Sequence, residues 1–281
     1  MTVAIVTDSG SDLDPIRLRE AGILQVPLSV SIGKQSYLSP DELSAAEFWR
    51  LMSLPDSDFA HTAAPSAGQF KQAFDSCFRD GADSIVCVCL TETLSATIQS
   101  ARVAREMLPD REIHIVDSGS ASMAVGSKAL RGAAMAARGA PAGEIAAAME
   151  KLVACTTLFV GLETLDNLRK GGRISAAKAA VGGMLSVKPI ITVIDGHVVA
   201  AEQPRTRTKA MARTIELLTS EPATEVHILY SPPADSAAFH DAVLAAMPGP
   251  APRLVTTQII GPVIGAHVGP GAYGAVLVRE T

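Results

Sequence analysis

Short apolar runs alternate with amphipathic stretches through the first half of the chain. Four runs, at 3–7, 24–30, 84–90 and 112–116, have the length and composition of strands buried on both faces of a parallel sheet. The stretches between these runs predict helices. Strand and helix therefore alternate, which is typical of an α/β sheet.

Serine-containing caps mark the predicted helix starts. Residues 39–42 form a capping box with proline at the first helical position, which predicts a helix over the residues that follow. Residues 66–69 form a second predicted capping box. A third helix is predicted to begin at Ser95 and to run toward residue 108, where a proline ends it.

The second half of the chain has a different pattern. Alanine-rich stretches at 120–138 and 141–153 predict helices, and the Gly-Ala-Pro punctuation between them places the connection of two lobes near 140–155. Residues 188–202 are two apolar runs around an Asp-Gly turn, a strong hairpin signal. Further elements are predicted as strands at 225–230, 253–259 and 275–279 and a helix at about 235–246.

Together these elements predict a two-lobed α/β protein. The N-terminal lobe, 1–153, is expected to be built on a mostly parallel sheet, and the C-terminal α/β lobe, 154–281, to contain the antiparallel hairpin. The chain has 281 residues, of which 48% are hydrophobic and 19% charged, so it is able to bury one large core or two ordinary ones.

Composition and the lack of certain motifs remove several classes of function. The apolar runs are far shorter than the roughly 20 residues of a membrane span, and the first residues lack the features of a secretion signal, so we expect a cytoplasmic protein. A net charge of −5 gives no general attraction to nucleic acid. We find neither a glycine-rich nucleotide motif nor a metal-ligand spacing, so we expect no ATP site, cofactor or metal.

Seven short motifs, in order along the whole chain, resemble the DegV family of bacterial fatty-acid-binding proteins, the carrier subunits of fatty acid kinase. The motifs are VTDSGSDL at 6–13, HTAAPS at 61–66, LSATIQSA at 94–101, IVDSGSASMAVG at 115–126, LETLDNLRKGGRIS at 162–175, PRTRTKA at 204–210 and GPVIGAHVGPGAYG at 261–274. The chain departs from the family pattern at Ala96, where glycine is usual, and at Ala63 and Ala64, where polar side chains are usual.

The resemblance implies a two-lobed fold that buries a long-chain fatty acid in an apolar tunnel. It also implies a partner, a separate ATP-binding kinase subunit that phosphorylates the carboxyl group of the bound fatty acid and supplies acyl-phosphate for phospholipid synthesis. On this view the chain is a lipid carrier without catalytic residues of its own.

Hydroxyl and imidazole groups are the expected ligands of the fatty-acid carboxylate. Ser95 stands at a predicted helix start, where its hydroxyl and the free amides of Ala96 and residue 97 point toward an incoming anion. By the resemblance, Thr62, Ser95, Ala96 and His267 form the head-group set. The alternative is that Thr62 and Ser95 are only helix caps and that His267 is a hydrogen-bonded core side chain.

A cationic cluster is expected beside this set on an otherwise acidic protein. It consists of Arg173 and of Arg205 with Arg207 after the hairpin. Guanidinium groups suit phosphate, and the resemblance suggests that Arg173 and Arg205 hold the acyl-phosphate end or dock the kinase. The alternative is ordinary surface charge.

Two polar loops and a glycine complete the candidate residues. Asp8 with Ser9 and Asp117 with Ser118 both follow strands, where ligand loops gather in open α/β sheets, although each pair equally fits a local turn. Gly269 lies in the glycine-rich turn after the candidate histidine and lets the backbone approach a ligand closely.

Two other functions remain open at the level of sequence. A serine hydrolase or acyltransferase could use Ser95, His267 and an acid such as Asp117, although the serine lacks the G-x-S-x-G elbow. A small-molecule sensor on the same fold could instead fill the cavity with a shorter, more polar ligand.

Overall fold

Strands and helices alternate along most of the chain. The computed structural model describes residues 2–174 and 187–279. The strands in these two segments are β1 Val3–Asp8, β2 Ile23–Val26, β3 Leu28–Ile32, β4 Gln35–Ser39, β5 Ala60–Ala63, β6 Ser84–Cys89, β7 Glu112–Asp117, β8 Thr156–Gly161, β9 Ile190–Ile194, β10 His197–Glu202, β11 Glu225–Tyr230, β12 Leu254–Ile259 and β13 Tyr273–Val278. The α-helices there are α1 Pro15–Glu20, α2 Ala45–Met52, α3 Ala67–Arg79, α4 Thr97–Glu106, α5 Met123–Ala136, α6 Ala142–Ala154, α7 Asp166–Lys170, α8 Arg207–Leu218, α9 Ser236–Ala246 and α10 Pro262–Val268.

The first half forms the predicted parallel sheet, in the order β2-β1-β6-β7. All six residues of β6 are buried, because helices cover both faces of the sheet. Ile85 and Cys87 pack in one hydrophobic cluster with α3 and α4, whereas Val86 and Val88 pack in another with α5 and α6. Burial on both faces explains why these strands are continuous apolar runs in the sequence.

The second half forms a six-stranded mixed sheet, in the order β10-β9-β8-β13-β11-β12. The predicted hairpin is confirmed: β9 and β10 pair antiparallel around Asp195 and Gly196, which both have positive φ. The parallel pair β11 and β12 lies at the far edge of the sheet. The expected α/β fold with one parallel sheet and antiparallel pairing in the second half is therefore confirmed.

One predicted strand, 24–30, is two strands in two different sheets. β2 pairs with β1, whereas β3 pairs antiparallel with β4 and β5 in a separate three-stranded sheet. Pro27 lies between them and has no backbone N–H to donate to a neighbouring strand. The amide of Leu28 instead donates to the hydroxyl of Ser9 at 2.9 Å.

The capping box predicted at residues 39–42 is wrong. Ser39 is the last residue of β4, and Glu42 accepts a hydrogen bond from the amide of Leu38. The helix begins at Ala45, and its cap is Ser44, whose hydroxyl accepts from the third amide of the helix. The box at residues 66–69, by contrast, is confirmed.

The two halves share one hydrophobic core. Helices α5 and α6 contact strands of both sheets, and a single cluster of buried side chains joins Val86 and Val88 of the parallel sheet to Leu158, Leu229 and Val276 of the mixed sheet. The division of the chain into lobes at 153/154 stays a prediction.

Candidate functional site

An apolar cavity lies between the two halves, and the space between its lining residues, counted together with the open solvent at its mouth, is about 770 Å³. The apolar residues that line it come from both halves of the chain: Leu28, Leu90, Leu94, Ala121, Leu158, Val160, Leu168, Ile191, Val193, Val198, Leu229, Ile260, Val263, Ile264 and Val268. The polar residues that line it are Thr62, Ser95, Ser122, Arg173 and His267.

One face of α10 runs along the cavity. Val263, Ile264, His267 and Val268 line the wall at helical spacing, so the helix presents three apolar side chains and one imidazole to the same space. Gly265 lies on the other side of α10, where a Cβ atom would come within 2.7 Å of both Phe48 and Trp49. The helix is therefore packed tightly against α2 by the absence of a side chain at this position.

His267 forms a hydrogen bond with Thr62, which lies in β5. Their Nε2 and Oγ1 atoms are 2.9 Å apart, and the tautomer decides which group donates. Burial, reinforced by the positive charge of Arg173 and by His61, lowers the pKa of His267 to about 4, so its ring is neutral at pH 7. The Nδ1 atom is buried without a hydrogen-bond partner among the described residues.

The imidazole is held close to the turn after α7. A Cβ atom at Gly171 would come within 2.3 Å of Nδ1 of His267, so only glycine leaves room for the ring in this position. Gly171, which lies within the motif at 162–175, thus gives the imidazole its place in the site. Ser175, the last residue of that motif, lies outside the described residues.

Ser95 also lines the cavity. The helix was expected to begin at Ser95, but it begins two residues later. Helix α4 begins at Thr97, and Ala96, which is exposed, occupies the capping position. The hydroxyl of Ser95 accepts from the amide of Thr97 at 3.3 Å and lies 2.8 Å from the hydroxyl of the same residue. The amide at 97 is thus partly engaged, whereas no described group bonds the amide of Ala96.

The expected cationic cluster is not gathered in one place. Arg173 lines the cavity, where its guanidinium donates to the carbonyls of Leu94 and Gly171. Arg207 instead pairs with Glu163 and lies over the ring of Tyr273. Arg205 is exposed just before α8 and is not among the residues that line the cavity.

The two candidate polar loops form local turns outside the apolar cavity. Asp8 accepts from the amides of Gly10 and Leu90, and burial raises its pKa to about 7 despite these bonds. Asp117 accepts from the amides of Gly119 and Glu92.

The neighbouring serines and the candidate glycine also have hydrogen-bond partners within the protein. Ser9 bonds the backbone of β3, whereas Ser118 donates to the carbonyl of Ser120 and, with Asp117, lines a separate polar cleft. Gly269 ends α10 with a φ of 76° and accepts from the hydroxyl of Ser231.

Two polar residues near the cavity were missed in the sequence. Ser122 lines the cavity wall, and its hydroxyl donates to the carboxyl group of Asp12 at 2.6 Å. Asp12 also accepts from the amide of Gly261 at the start of α10, and burial raises its pKa to about 7. Both residues have positive φ, an uncommon conformation outside glycine that only tertiary structure reveals.

A serine hydrolase relay is not assembled among the described residues. Oγ of Ser95 bonds Thr97, the ring of His267 bonds Thr62, and Asp117 faces a different cleft. The geometry therefore gives no support to the Ser95–His267–Asp117 arrangement. In the same described segments no helix is long and apolar enough to cross a membrane.

Comparison with known proteins places these observations in a family. Residues 2–280 match a family described as uncharacterised proteins of the DegV family. A DegV domain-containing protein of Streptomyces coelicolor is 35% identical over 280 residues, which cover 98% of each chain. Another from Listeria monocytogenes is 32% identical over 281 residues, 97% of this chain and 96% of that protein.

Solved structures of this family are also similar to the present fold. A DegV family protein from Thermus thermophilus, described for its fatty acid binding, is 30% identical and superposes with a TM-score of 0.90. DegV of Bacillus subtilis, described as a fatty acid binding protein, is 26% identical with a TM-score of 0.88. Each comparison covers 100% of both chains.

Proposed function

This chain belongs to the DegV family, and on that premise we propose that it binds a long-chain fatty acid in the cavity between its two halves. The observation that carries the proposal is a cavity with apolar walls whose polar residues include Thr62, Ser95, Arg173 and His267. The related proteins from Thermus thermophilus and Bacillus subtilis are described as binding fatty acids.

The walls suit an acyl chain energetically. A chain with about 15 buried methylenes gains roughly 12 kcal/mol on leaving water, at about 0.8 kcal/mol each. The carboxylate, by contrast, costs several kcal/mol if it is buried without partners. Donors must therefore stand where the head group ends.

The polar residues supply such donors. The guanidinium of Arg173 carries a positive charge, and the hydroxyls of Thr62 and Ser95 can donate hydrogen bonds. Ala96 is not among the lining residues, and its amide adjoins Ser95 just before α4. The neutral imidazole of His267 has an N–H on one ring nitrogen, which suits an anionic oxygen without the cost of a second buried cation. We assign Thr62, Ser95, Ala96 and His267 to binding of the fatty-acid carboxylate. We assign Arg173 to binding of the acyl-phosphate end of the ligand.

A fatty-acid carrier of this kind serves a second protein. We propose that a separate ATP-dependent kinase subunit phosphorylates the bound carboxyl group, that the acyl-phosphate enters phospholipid synthesis and that the pair works in the cytoplasm. Two features support this proposal: the chain lacks a nucleotide-binding glycine motif, and Arg205 is exposed on the surface, where a partner could contact it. The cavity and its polar end would then present the carboxyl group to that partner.

Extraction of the purified protein tests the proposed ligand. We expect denaturing extraction and mass spectrometry to recover one long-chain fatty acid per chain. Recovery of a polar metabolite instead would favour a small-molecule sensor. Turnover of a chromogenic acyl ester, or labelling of Ser95 by a fluorophosphonate, would favour the hydrolase.

A further inference from the structure

A second cleft lies directly behind part of the wall of the apolar cavity. The space between its lining residues, counted together with the open solvent at its mouth, is about 980 Å³, and the cleft is bordered by the loop after β1, the start of α2 and β12. Successive residues face opposite sides of the shared wall, since Ile260 lines the cavity and Gly261 lines the cleft. Ser122 lines the cavity and Asp12 lines the cleft, and a hydrogen bond joins their side chains across the wall. The wall is therefore about one side chain thick.

The wall changes from apolar to polar between two adjacent strands. Leu229 of β11 lines the cavity, and Gln258 lies beside it in the register of β12 and lines the cleft. Gln258 is only 8% exposed, yet neither its amide nitrogen nor its amide oxygen has a hydrogen-bond partner within the described segments. An apolar chain pushed past Leu229 would cover this amide and keep its polar atoms from water.

The part of the wall at Leu229 lies across the mixed sheet from the end of the cavity near Ser95. The cavity crosses the mixed sheet from Val198 on β10 to Leu229 on β11, which is four strand spacings or roughly 19 Å. Ser95 follows Thr93, whose hydroxyl donates to the carbonyl of Gly196 in the turn between β9 and β10. A chain whose carboxylate is held near Ser95 therefore extends across the sheet toward Leu229.

We infer that Leu229, backed by the polar Gln258, limits the length of the acyl chain that this protein accepts. The inference rests on the proposed function, because it names the length determinant of the same site. Each methylene is favourable while apolar walls surround it, and the gain ends where the chain meets Leu229 and the amide behind it.

Competition among saturated fatty acids tests this role. The full-length protein, stripped of lipid, is incubated with equal amounts of myristic, palmitic, stearic and arachidic acids, and the bound acids are quantified by mass spectrometry. We expect Leu229→Ala to move the preference to longer acids, by about fourfold for each additional methylene that becomes buried. Leu229→Val should move it in the same direction by less, and this milder variant serves if the alanine variant does not fold.

Leu218→Ala is the matched control, because Leu218 is fully buried in the core on the other face of the same sheet and lines neither cavity. Its preference should equal that of the wild type. An unchanged preference in both Leu229 variants, or an equal shift in Leu218→Ala, would overturn the inference. If the wild type binds none of the four acids, the proposed function itself fails, which is a different result from binding without a change in preference.

Discussion

At the scale of single residues, the proposed carboxylate site depends on a few polar groups set in an apolar wall. Ser95 was assigned from the sequence because it stands near a helix start, and the structure places its hydroxyl at the cavity. The sequence could not reveal the bond between Thr62 and His267, which are 205 positions apart. Asp12 and Ser122 were missed for the same reason, since their hydrogen bond spans 110 positions.

Removal of the Ser95 hydroxyl should weaken fatty acid binding without unfolding the protein. A hydrogen bond to a charged group contributes about 1.5–3 kcal/mol, so Ser95→Ala is expected to raise the dissociation constant by roughly 10- to 100-fold. Phosphorylation by the kinase partner should fall in parallel. Ser100→Ala, on the same helix but outside the cavity, is the control. Equal affinities in a fatty acid titration of the two variants would remove Ser95 from the site.

The protonation of His267 should make stability depend on pH in a defined direction. The unfolded chain takes up a proton near the ordinary pKa of 6.5, whereas the pKa of folded, ligand-free His267 is lowered to about 4. Between these values the unfolded state binds more protons, so this group's contribution is complete above pH 6.5 and is lost as the pH falls toward 4. The loss is at most about 3 kcal/mol.

Urea unfolding of the wild type and of His267→Gln, at neutral pH and near pH 4, measures this contribution. Asp8 and Asp12 titrate in both proteins, so the comparison rests on the difference between them. The advantage of the wild type over the variant should shrink as the pH falls. A difference that stays constant with pH would show that the histidine is not held neutral by burial.

At the scale of elements, the sequence predicted correctly those helices and strands whose ends are fixed by neighbouring residues, such as a turn or a helix cap. The Asp-Gly hairpin and the cap at Ser66 are such cases. The box at residues 39–42 failed because Ser39 is paired with Leu28 in a sheet, and a ladder between distant residues overrides a capping preference. The split of 24–30 follows from Pro27, whose effect on a strand could have been recognised in the sequence.

The position of α10 should control the site through Gly265. A methyl group there would collide with Phe48 and Trp49, so Gly265→Ala is expected to displace the helix, to cost about 1–3 kcal/mol of stability and to weaken fatty acid binding through His267. Urea unfolding together with a fatty acid titration measures both effects. Gly143→Ala is the matched control, because this glycine lies exposed in α6, where a Cβ atom would make only an ordinary contact with His114 at 3.8 Å. Similar losses in the two variants would contradict the role of α10.

At the scale of the whole molecule, the cavity exists only because the three sheets and their helices come together. Its walls combine Leu28 and Leu90 from the first half with Val198, Leu229 and Val268 from the second. In the sequence, each of these residues is typical of a hydrophobic core. The composition therefore predicted that apolar side chains would be buried, but it could not predict that they would enclose a cavity. The family resemblance supplied that expectation, and the shape of the cavity required the fold.

A substitution of the exposed residue Arg205 should affect contact with the kinase without affecting lipid binding. Arg205 is exposed and outside the cavity, so Arg205→Ala is expected to reduce the rate of acyl-phosphate formation severalfold, while fatty acid affinity stays that of the wild type. Lys209→Ala, an exposed cation in the adjoining helix, is the control. Loss of fatty acid affinity in Arg205→Ala, with a normal response to the kinase, would assign this arginine to the lipid site instead.

The most direct measurement is a crystal structure of the protein with its fatty acid bound. We predict an acyl chain between the two sheets, with the carboxylate within hydrogen-bonding distance of Ser95 and of His267 or Thr62, and with the tail directed toward Leu229. A fatty acid bound elsewhere, or a cavity that holds a small polar molecule, would contradict the account.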